Sequence, residues 1–121
     1  MLPGSHPMQN RQILLVEDEA DVRYLAQKRL TAAGYAVLPA SDGIEALHLM
    51  LEHPECRRMV TDFHMPLFGG NDWIRLLERF CPDWTIVVVS SQDVDPGPFV
   101  CVPKPVDYEN LVQVFMRGDP T

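Results

Sequence analysis

Short apolar segments alternate along this chain with stretches in which apolar residues recur at helical spacing, and this alternation limits the possible folds more than any other feature. Each short segment is nearly continuous in apolar residues, so as a strand it would have to be covered on both faces. Such strands, separated by amphipathic helices, are typical of a parallel sheet with helices on both sides. The predicted strands of this α/β fold are residues 13–16, 35–38, 59–61, 84–89 and 99–102.

Four helices are predicted between or after these strands. They cover residues 21–33, a segment that begins at Ser41-Asp42-Gly43 and ends before Pro54, residues 71–80 and residues 108–117. Gly34 is well placed to end the first of them. The apolar spacing predicts which residues face the core: Ile44, Leu47 and Leu51 in the second helix, Trp73, Leu76, Leu77 and Phe80 in the third, and Leu111, Val112 and Phe115 in the last.

The link between the fourth and fifth predicted strands is too short for a full crossover helix. It has eight residues, 91–98, and they are rich in Asp, Pro and Gly, which favour turns. A crossover between parallel strands normally needs about a dozen residues or more and usually contains a helix. We therefore expect the fourth crossover helix to be missing or reduced to one turn.

Composition narrows the possible functions. The chain has 121 residues, with 10 Lys and Arg against 17 Asp and Glu, and a net charge of −7. The length fits one domain, and the acidic balance argues against direct binding to nucleic acid. Three widely spaced cysteines favour a reducing, cytoplasmic compartment. The longest apolar run, residues 86–89, is too short to cross a membrane.

Three regions are expected along the chain. Residues 1–11 carry two prolines and a glycine without a periodic pattern, so we expect a flexible leader that is either native or left from cloning. The domain is predicted to cover residues 12–117, and residues 118–121 are predicted to form a C-terminal tail.

Polar side chains follow the predicted strands at the edge where a parallel α/β sheet binds ligands. Glu17 and Asp18 follow the first strand, Asp62 the third, Ser90 the fourth and Lys104 the fifth. An isolated Glu-Asp pair is more often a solvated turn, but three carboxylates in one cleft repel one another unless a cation neutralises them. Hard carboxylate oxygens without a nearby Cys or His ligand pattern suit Mg²⁺. An amine and a hydroxyl beside such an ion are suited to hold phosphoryl oxygens.

Several motifs in this order resemble the receiver domain of bacterial two-component response regulators. ILLVEDE resembles the first strand with its acidic pair, VTDFHMP the phosphoacceptor segment, VVVSS the fourth strand with its hydroxyl, and PKP the lysine-proline pair. The resemblance covers residues 12–117, including the 44-residue gap between Asp18 and Asp62. It implies a flavodoxin-like, doubly wound sheet of five parallel strands in the order 2-1-3-4-5.

The resemblance also implies roles for the matching residues. Asp62 would be the nucleophile that takes a phosphoryl group from a histidine kinase or a phosphotransfer protein. Asp18, Asp62 and the backbone carbonyl of His64 would bind Mg²⁺, with Glu17 acting through a water. The chain would turn over no external substrate and would signal through contacts with an unidentified downstream protein, with a homodimer as a further possibility.

Further groups would hold or influence the phosphoryl group. Lys104 would pair with one phosphoryl oxygen, and Ser90 would donate a hydrogen bond to another. The backbone N–H groups of Phe63 and Ser91 would contact the same oxygens. The lifetime of the acyl phosphate would depend on water access beside two residues, His64 and Gln92.

Two substitutions depart from the family pattern near the fifth strand. Cys101 stands three positions before the lysine, where the family usually has an aromatic residue. Phe99 lies on the same face of the strand but about 7 Å away. Pro103 removes a backbone donor directly before Lys104 and is tolerated mainly at sheet edges. We therefore expect Cys101 to modulate the response, so that phosphorylation causes only a small rearrangement near this strand.

Two alternative functions stay open at this point. A pseudo-receiver would keep the fold as a protein-binding module with little or no phosphorylation, and Cys101 and the shortened crossover favour it. A phosphohydrolase with an aspartate nucleophile would need a second aspartate two positions after Asp62, where this chain has His64.

Overall fold

Five parallel strands form one sheet in the computed structural model, which describes residues 11–118. The strands are β1 (Gln12–Val16), β2 (Ala36–Ala40), β3 (Arg58–Asp62), β4 (Thr85–Ser90) and β5 (Val100–Pro103), and their order is β2-β1-β3-β4-β5. The helices are α1 (Ala20–Ala32), α2 (Gly43–Glu52), α3 (Gly70–Phe80) and α4 (Tyr108–Gly118). The predicted doubly wound, flavodoxin-like α/β fold is confirmed.

The two ends of the chain are described only in part. Of the predicted leader, only Arg11 lies within the described residues, and of the predicted tail only Gly118 does. The Arg11 guanidinium donates to the carbonyl oxygen of Gly34 at 3.0 Å, and its centre lies 4.5 Å from the centroid of the Tyr35 ring. Arg11 therefore packs on the turn that ends α1, where Gly34 has a φ of +100°.

Helices cover both faces of the sheet, and each face has its own apolar core. On one face, Leu14 of β1 packs in a cluster with Trp73 of α3. On the other face, the neighbouring Ile13 packs in a cluster with Phe115 of α4. Successive residues of a strand point to opposite faces, so both must be apolar when both faces are covered. Within residues 11–118, no helix has both the length and the apolar character that a membrane span requires.

Three residues predicted to face the core are exposed instead: Ile44 (48% exposed), Leu51 (83%) and Phe80 (70%). The α2 helix is turned so that Ala46, which is fully buried, faces the sheet. Because α2 is apolar on most sides, its periodicity could not select this face. The other residues predicted to face the core are buried or partly buried: Leu47, Trp73, Leu76, Leu77, Leu111, Val112 and Phe115.

The segment between β4 and β5 contains no helix, as the length of the link predicted. Residues 91–99 form bends and turns, and the Asp95 carboxylate accepts a hydrogen bond from the Gly97 N–H at 2.9 Å. Val94 and Phe99 pack against the core cluster that contains Trp73. These two side chains provide the apolar cover that a crossover helix would otherwise supply.

The position of β5 at the edge of the sheet explains how Pro103 is tolerated. The Lys104 N–H donates to the carbonyl oxygen of Ser90 at 3.0 Å, so this residue bonds to β4. Successive backbone N–H groups of a strand point to opposite sides. The nitrogen of Pro103 therefore points away from β4, and the missing donor removes no hydrogen bond from the sheet.

The loop between β3 and α3 is held against the beginning of α2. A Cβ atom on Gly43 would lie 2.5 Å from the carbonyl oxygen of Phe68 and 3.1 Å from its Cβ. The Phe68 ring in turn packs edge-on against Trp73, with 5.5 Å between the ring centroids. Close backbone contact at Gly43 thus fixes the loop relative to α2.

We predict that Gly43→Ala lowers the free energy of unfolding by about 1–3 kcal/mol, because the new methyl group must displace the backbone of Phe68. Urea unfolding followed by circular dichroism measures the change. Ile44→Ala is the matched control, since Ile44 is the next residue of the same helix and is half exposed. Equal stability of Gly43→Ala and the wild type would contradict the close contact.

Candidate functional site

The carboxyl ends of the strands bring an ammonium group between two buried carboxylates. Lys104, directly after β5, places Nζ 2.9 Å from Oε1 of Glu17 and 2.9 Å from Oδ1 of Asp62. Glu17 directly follows β1, and Asp62 is the last residue of β3. Both carboxylate side chains are only 6% exposed, whereas the lysine side chain is 21% exposed. The predicted convergence of these three residues is therefore present.

The turn after β1 is ordered by hydrogen bonds to Glu17. Its Oε2 accepts from the Glu19 N–H at 3.0 Å, and its backbone carbonyl accepts from Nη1 of Arg23 at 2.8 Å. The same Arg23 nitrogen lies 3.4 Å from the carbonyl oxygen of Asp18, whose side chain is exposed. Arg23 was not predicted as part of the site. An arginine one helical turn after the acidic pair, on the helix that follows it, is the signal that could have identified it.

A buried polar chain anchors the end of β3. The indole Nε1 of Trp73 donates to Oγ1 of Thr61 at 2.8 Å, and the Thr61 hydroxyl donates to the carbonyl oxygen of Asp62 at 3.0 Å. Thr61 and Trp73 are both fully buried. These two hydrogen bonds link α3 to the backbone at the end of β3. The sequence had predicted only a packing role for Trp73.

The end of β4 carries a hydroxyl, that of Ser90, and its backbone is bonded to Lys104. Ser90 is buried, and its Oγ accepts from the Gln92 N–H at 3.0 Å, which leaves the hydroxyl hydrogen free to donate. Ser91 and Gln92 are exposed. The Phe63 N–H donates to the carbonyl oxygen of Val89 at 3.0 Å, so in this structure it is bonded within the sheet rather than directed to a ligand.

An open cavity of about 440 Å³ lies beside the acidic residues, and its lining includes Asp18 and His64. Met65, Pro66, Gly69 and Gly70 form the rest of its lining. The His64 side chain is exposed, and its ring lies edge-on to Phe63 with 4.9 Å between centroids. Carboxylate oxygens of Glu17, Asp18 and Asp62 lie within 4.8 Å of one another. The arrangement can bind a small cation next to a space that is open to a larger group.

The neighbouring carboxylates of Glu17, Asp18 and Asp62 favour the binding of a proton, or of a cation in addition to the Lys104 ammonium. Burial raises the pKa of Asp62 from 3.8 to about 8, and although the Lys104 ammonium opposes this, the Glu17 carboxylate adds to it. Burial also acts to lower the pKa of Lys104, but its hydrogen bonds to Glu17 and Asp62 outweigh burial and raise the pKa. The single ammonium does not balance three neighbouring carboxylates.

Cys101 lies on β5, three residues before Lys104, and pairs with Val88 of β4. Its side chain is exposed on β5. Partial burial of the thiol and, to a smaller extent, the Asp93 carboxylate raise the pKa of Cys101, so the thiol stays protonated at neutral pH.

Known proteins are similar to this chain in sequence and in fold. The sequence family described as "Response regulator receiver domain" matches residues 13–115. The chain is 42% identical over 88 residues to the probable transcriptional regulator ycf27 of Porphyridium aerugineum, covering 72% of this chain and 36% of that protein. It is 32% identical over 110 residues to the response regulator MprA of Mycobacterium leprae, covering 84% of this chain and 47% of that protein.

Solved structures agree with the sequence match. The crystal structure of the receiver domain from the hybrid histidine kinase CckA superposes with a TM-score of 0.75 at 30% identity, over 88% of this chain and 97% of that one. The chain spans less than half the length of the two curated relatives named above, so it corresponds to one part of them. The chain belongs to the response regulator receiver domain family.

Proposed function

We propose that the chain is a phosphoacceptor that takes a phosphoryl group onto Asp62 in a Mg²⁺-dependent reaction. The observation that carries this proposal is the Lys104 ammonium, which lies 2.9 Å from Asp62 at the edge of the cleft that Asp18 and His64 help to line. The ammonium is already in contact with an oxygen of the Asp62 carboxylate. It can therefore pair with an oxygen of a phosphoryl group that is attached to that carboxylate.

The donor set fits Mg²⁺. Carboxylate oxygens from Glu17, Asp18 and Asp62 come within 4.8 Å of one another, and Mg²⁺ prefers such hard oxygen ligands together with several waters. Asp18 and Asp62 would hold the ion directly, the backbone carbonyl of His64 would be a third protein ligand, and Glu17 would act through a water. When bound, the ion would neutralise part of the negative charge of the three carboxylates and of the incoming phosphoryl oxygens.

The transfer itself requires positioning rather than new covalent chemistry from the protein. An Asp62 carboxylate oxygen forms a bond to phosphorus while the bond from phosphorus to the donor's imidazole nitrogen breaks. The Lys104 ammonium then pairs with a phosphoryl oxygen, and the free hydroxyl hydrogen of Ser90 bonds to another. The N–H of Ser91 would contribute a further bond, and the N–H of Phe63 would do so after leaving the Val89 carbonyl.

The phosphoryl donor of this reaction would be a histidine kinase or a phosphotransfer protein in the cytoplasm, and the output would be contact with a downstream protein. The chain would turn over no external substrate. His64 and Gln92 are exposed, and we expect water access beside them to set the lifetime of the acyl phosphate.

A pseudo-receiver that binds proteins without phosphorylation is the second candidate. The exposure of Cys101 and the lack of a helix within residues 91–99 favour it, because they alter the region that would respond to the phosphoryl group. The complete set of Glu17, Asp18, Asp62 and Lys104 favours the phosphoacceptor.

Incubation with Mg²⁺ and acetyl phosphate should add one phosphoryl group to the protein, measured as intact mass. Asp62→Asn should remove the adduct because it removes the nucleophile, and omission of Mg²⁺ should also remove it. Lys104→Ala should still bind Mg²⁺, measured by Trp fluorescence, but should show a weaker structural response. No adduct in the wild type, together with no effect of Mg²⁺ on fluorescence, would favour the pseudo-receiver.

We also predict that the metal-free protein loses stability as the pH rises. The pKa of Asp62 is raised from 3.8 to about 8, so between these values the folded state binds more protons than the unfolded state and stability falls with increasing pH. The matched control, Asp62→Asn, lacks this titration. In EDTA, the difference in Tm between Asp62→Asn and the wild type should grow from about pH 5 to about pH 8. Saturating Mg²⁺ should shrink it, and a difference independent of pH would refute the prediction.

The response to phosphorylation should be small near β5. Beryllofluoride, which mimics the phosphoryl group, should change amide hydrogen exchange around Asp62, Ser90 and Lys104 only, because exposed Cys101 offers no aromatic side chain to move inward. Asp62→Asn with the same reagents is the control and should show no change. Broad deprotection of residues 91–105 in the wild type would count against this view.

A further inference from the structure

An apolar surface lies between α2 and the loop that precedes α3. Ile44 and Leu67 are 48% and 70% exposed, and both line an open groove of about 450 Å³ together with the exposed His48. We call these three residues the α2–loop surface. Leu51, which is 83% exposed, extends the apolar character along the next turn of α2.

The shape of this surface is fixed by the fold. Leu67 directly precedes Phe68, whose backbone contacts Gly43 at the beginning of α2 and whose ring packs edge-on against Trp73. The loop therefore presents Leu67 beside Ile44 in a defined position. The opposite face of α2 packs in the core, with Ala46 fully buried. The outer face of α2 thus keeps two large apolar side chains, Ile44 and Leu51, that the described fold leaves exposed.

The charges of the groove point to a cationic occupant. Its lining includes the carboxylates of Asp42, Glu45 and Glu52 and contains neither Lys nor Arg. Asp42 accepts from the Glu45 N–H at 2.8 Å, and Glu45 accepts from the Ser41 N–H and hydroxyl. These bonds fix two of the carboxylates at the rim without neutralising their charge.

A second copy of this chain does not suit the groove. In a two-fold dimer the same patch meets itself, so the three carboxylates would face their own copies. The chain as a whole also carries a net charge of −7, which adds to the repulsion. The complementary partner is a different protein segment with the opposite charge.

We propose that the α2–loop surface docks a basic amphipathic helix of a partner protein, with apolar side chains between Ile44 and Leu67 and Lys or Arg side chains toward the three carboxylates. Helix-in-groove binding uses this combination of apolar anchors and flanking charges. The proposal does not depend on phosphorylation of Asp62.

The test is an NMR titration of the full chain with a short amphipathic peptide built from Leu and Lys. Amide shifts should concentrate in residues 43–52 and at Leu67. A peptide with the same Leu positions and Glu in place of Lys should bind at least tenfold more weakly, and added salt should weaken the Leu/Lys complex. Shifts centred elsewhere, equal binding of the Glu peptide or no binding at all would overturn the proposal.

Matched variants assign the binding to this surface. Ile44→Ser with Leu67→Ser should weaken binding at least tenfold, and Glu52→Gln should weaken it less. Tyr24→Ser with Leu25→Ser on α1 is the control, since these residues are 64% and 46% exposed and lie outside the groove. A thermal scan checks that each variant is folded. Equal weakening by both double variants would overturn the proposal.

Two further outcomes separate this proposal from others. If sedimentation shows a wild-type dimer that Ile44→Ser with Leu67→Ser dissociates, a second copy covers the surface and the proposal is wrong. Asp62→Asn should bind the Leu/Lys peptide with unchanged affinity. Failure of phosphorylation with intact peptide binding would therefore reject only the phosphoacceptor function.

Discussion

The ammonium of Lys104 is the interaction on which the functional end of the sheet depends. Among the described residues it contacts both Glu17 and Asp62, two carboxylates that burial would otherwise make costly by several kcal/mol each. Its backbone N–H is bonded to Ser90, so the amine, the hydroxyl and the acceptor share one frame. These contacts arise because each residue stands at the same edge of a sheet in which β3 lies between β1 and β4. The strand order therefore decides which charged side chains meet at this end of the sheet.

The sequence predicted those parts of the molecule that depend on chain length and on strongly periodic patterns. Glu17, Asp62 and Lys104 could be placed together because the carboxyl ends of parallel strands meet at one end of the sheet. The short 91–98 link predicted, by its length, a crossover helix that is missing or reduced to one turn. The orientation of α2 could not be predicted, since Ile44 and Leu51 form an apolar stripe as convincing as the buried one. Arg23 was missed although its position one turn after the acidic pair is a usable signal, because its partners are backbone carbonyls. The hydroxyl of Thr61 was missed because its bonds to the Trp73 indole and to the Asp62 carbonyl depend on how α3 packs on β3.

The region around β5 shows how the chain tolerates the loss of a crossover helix. Val94 and Phe99 restore apolar cover over the core, but they lie before the strand and leave Cys101 exposed. Pro103 points its nitrogen outward, so it removes no bond to β4 and leaves one donor fewer on the open edge of the sheet. The edge strand has four residues and lacks this outward donor, so it is poorly suited to pair with a further strand. Lys104, the residue that the site needs, is still held in register.

The loop between β3 and α3 connects the acceptor to the α2–loop surface. It begins beside Asp62, and its Met65 and Pro66 line the open cavity, whereas Leu67 points into the groove beside α2. The loop is closed by the Gly70 N–H, which donates to the carbonyl oxygen of Phe63 at 2.6 Å. The cavity and the groove therefore share one short loop. A loop arrangement that both sites prefer would couple them, and the coupling free energy between helix binding at the groove and the equilibrium for occupying Asp62 would be equal in both directions.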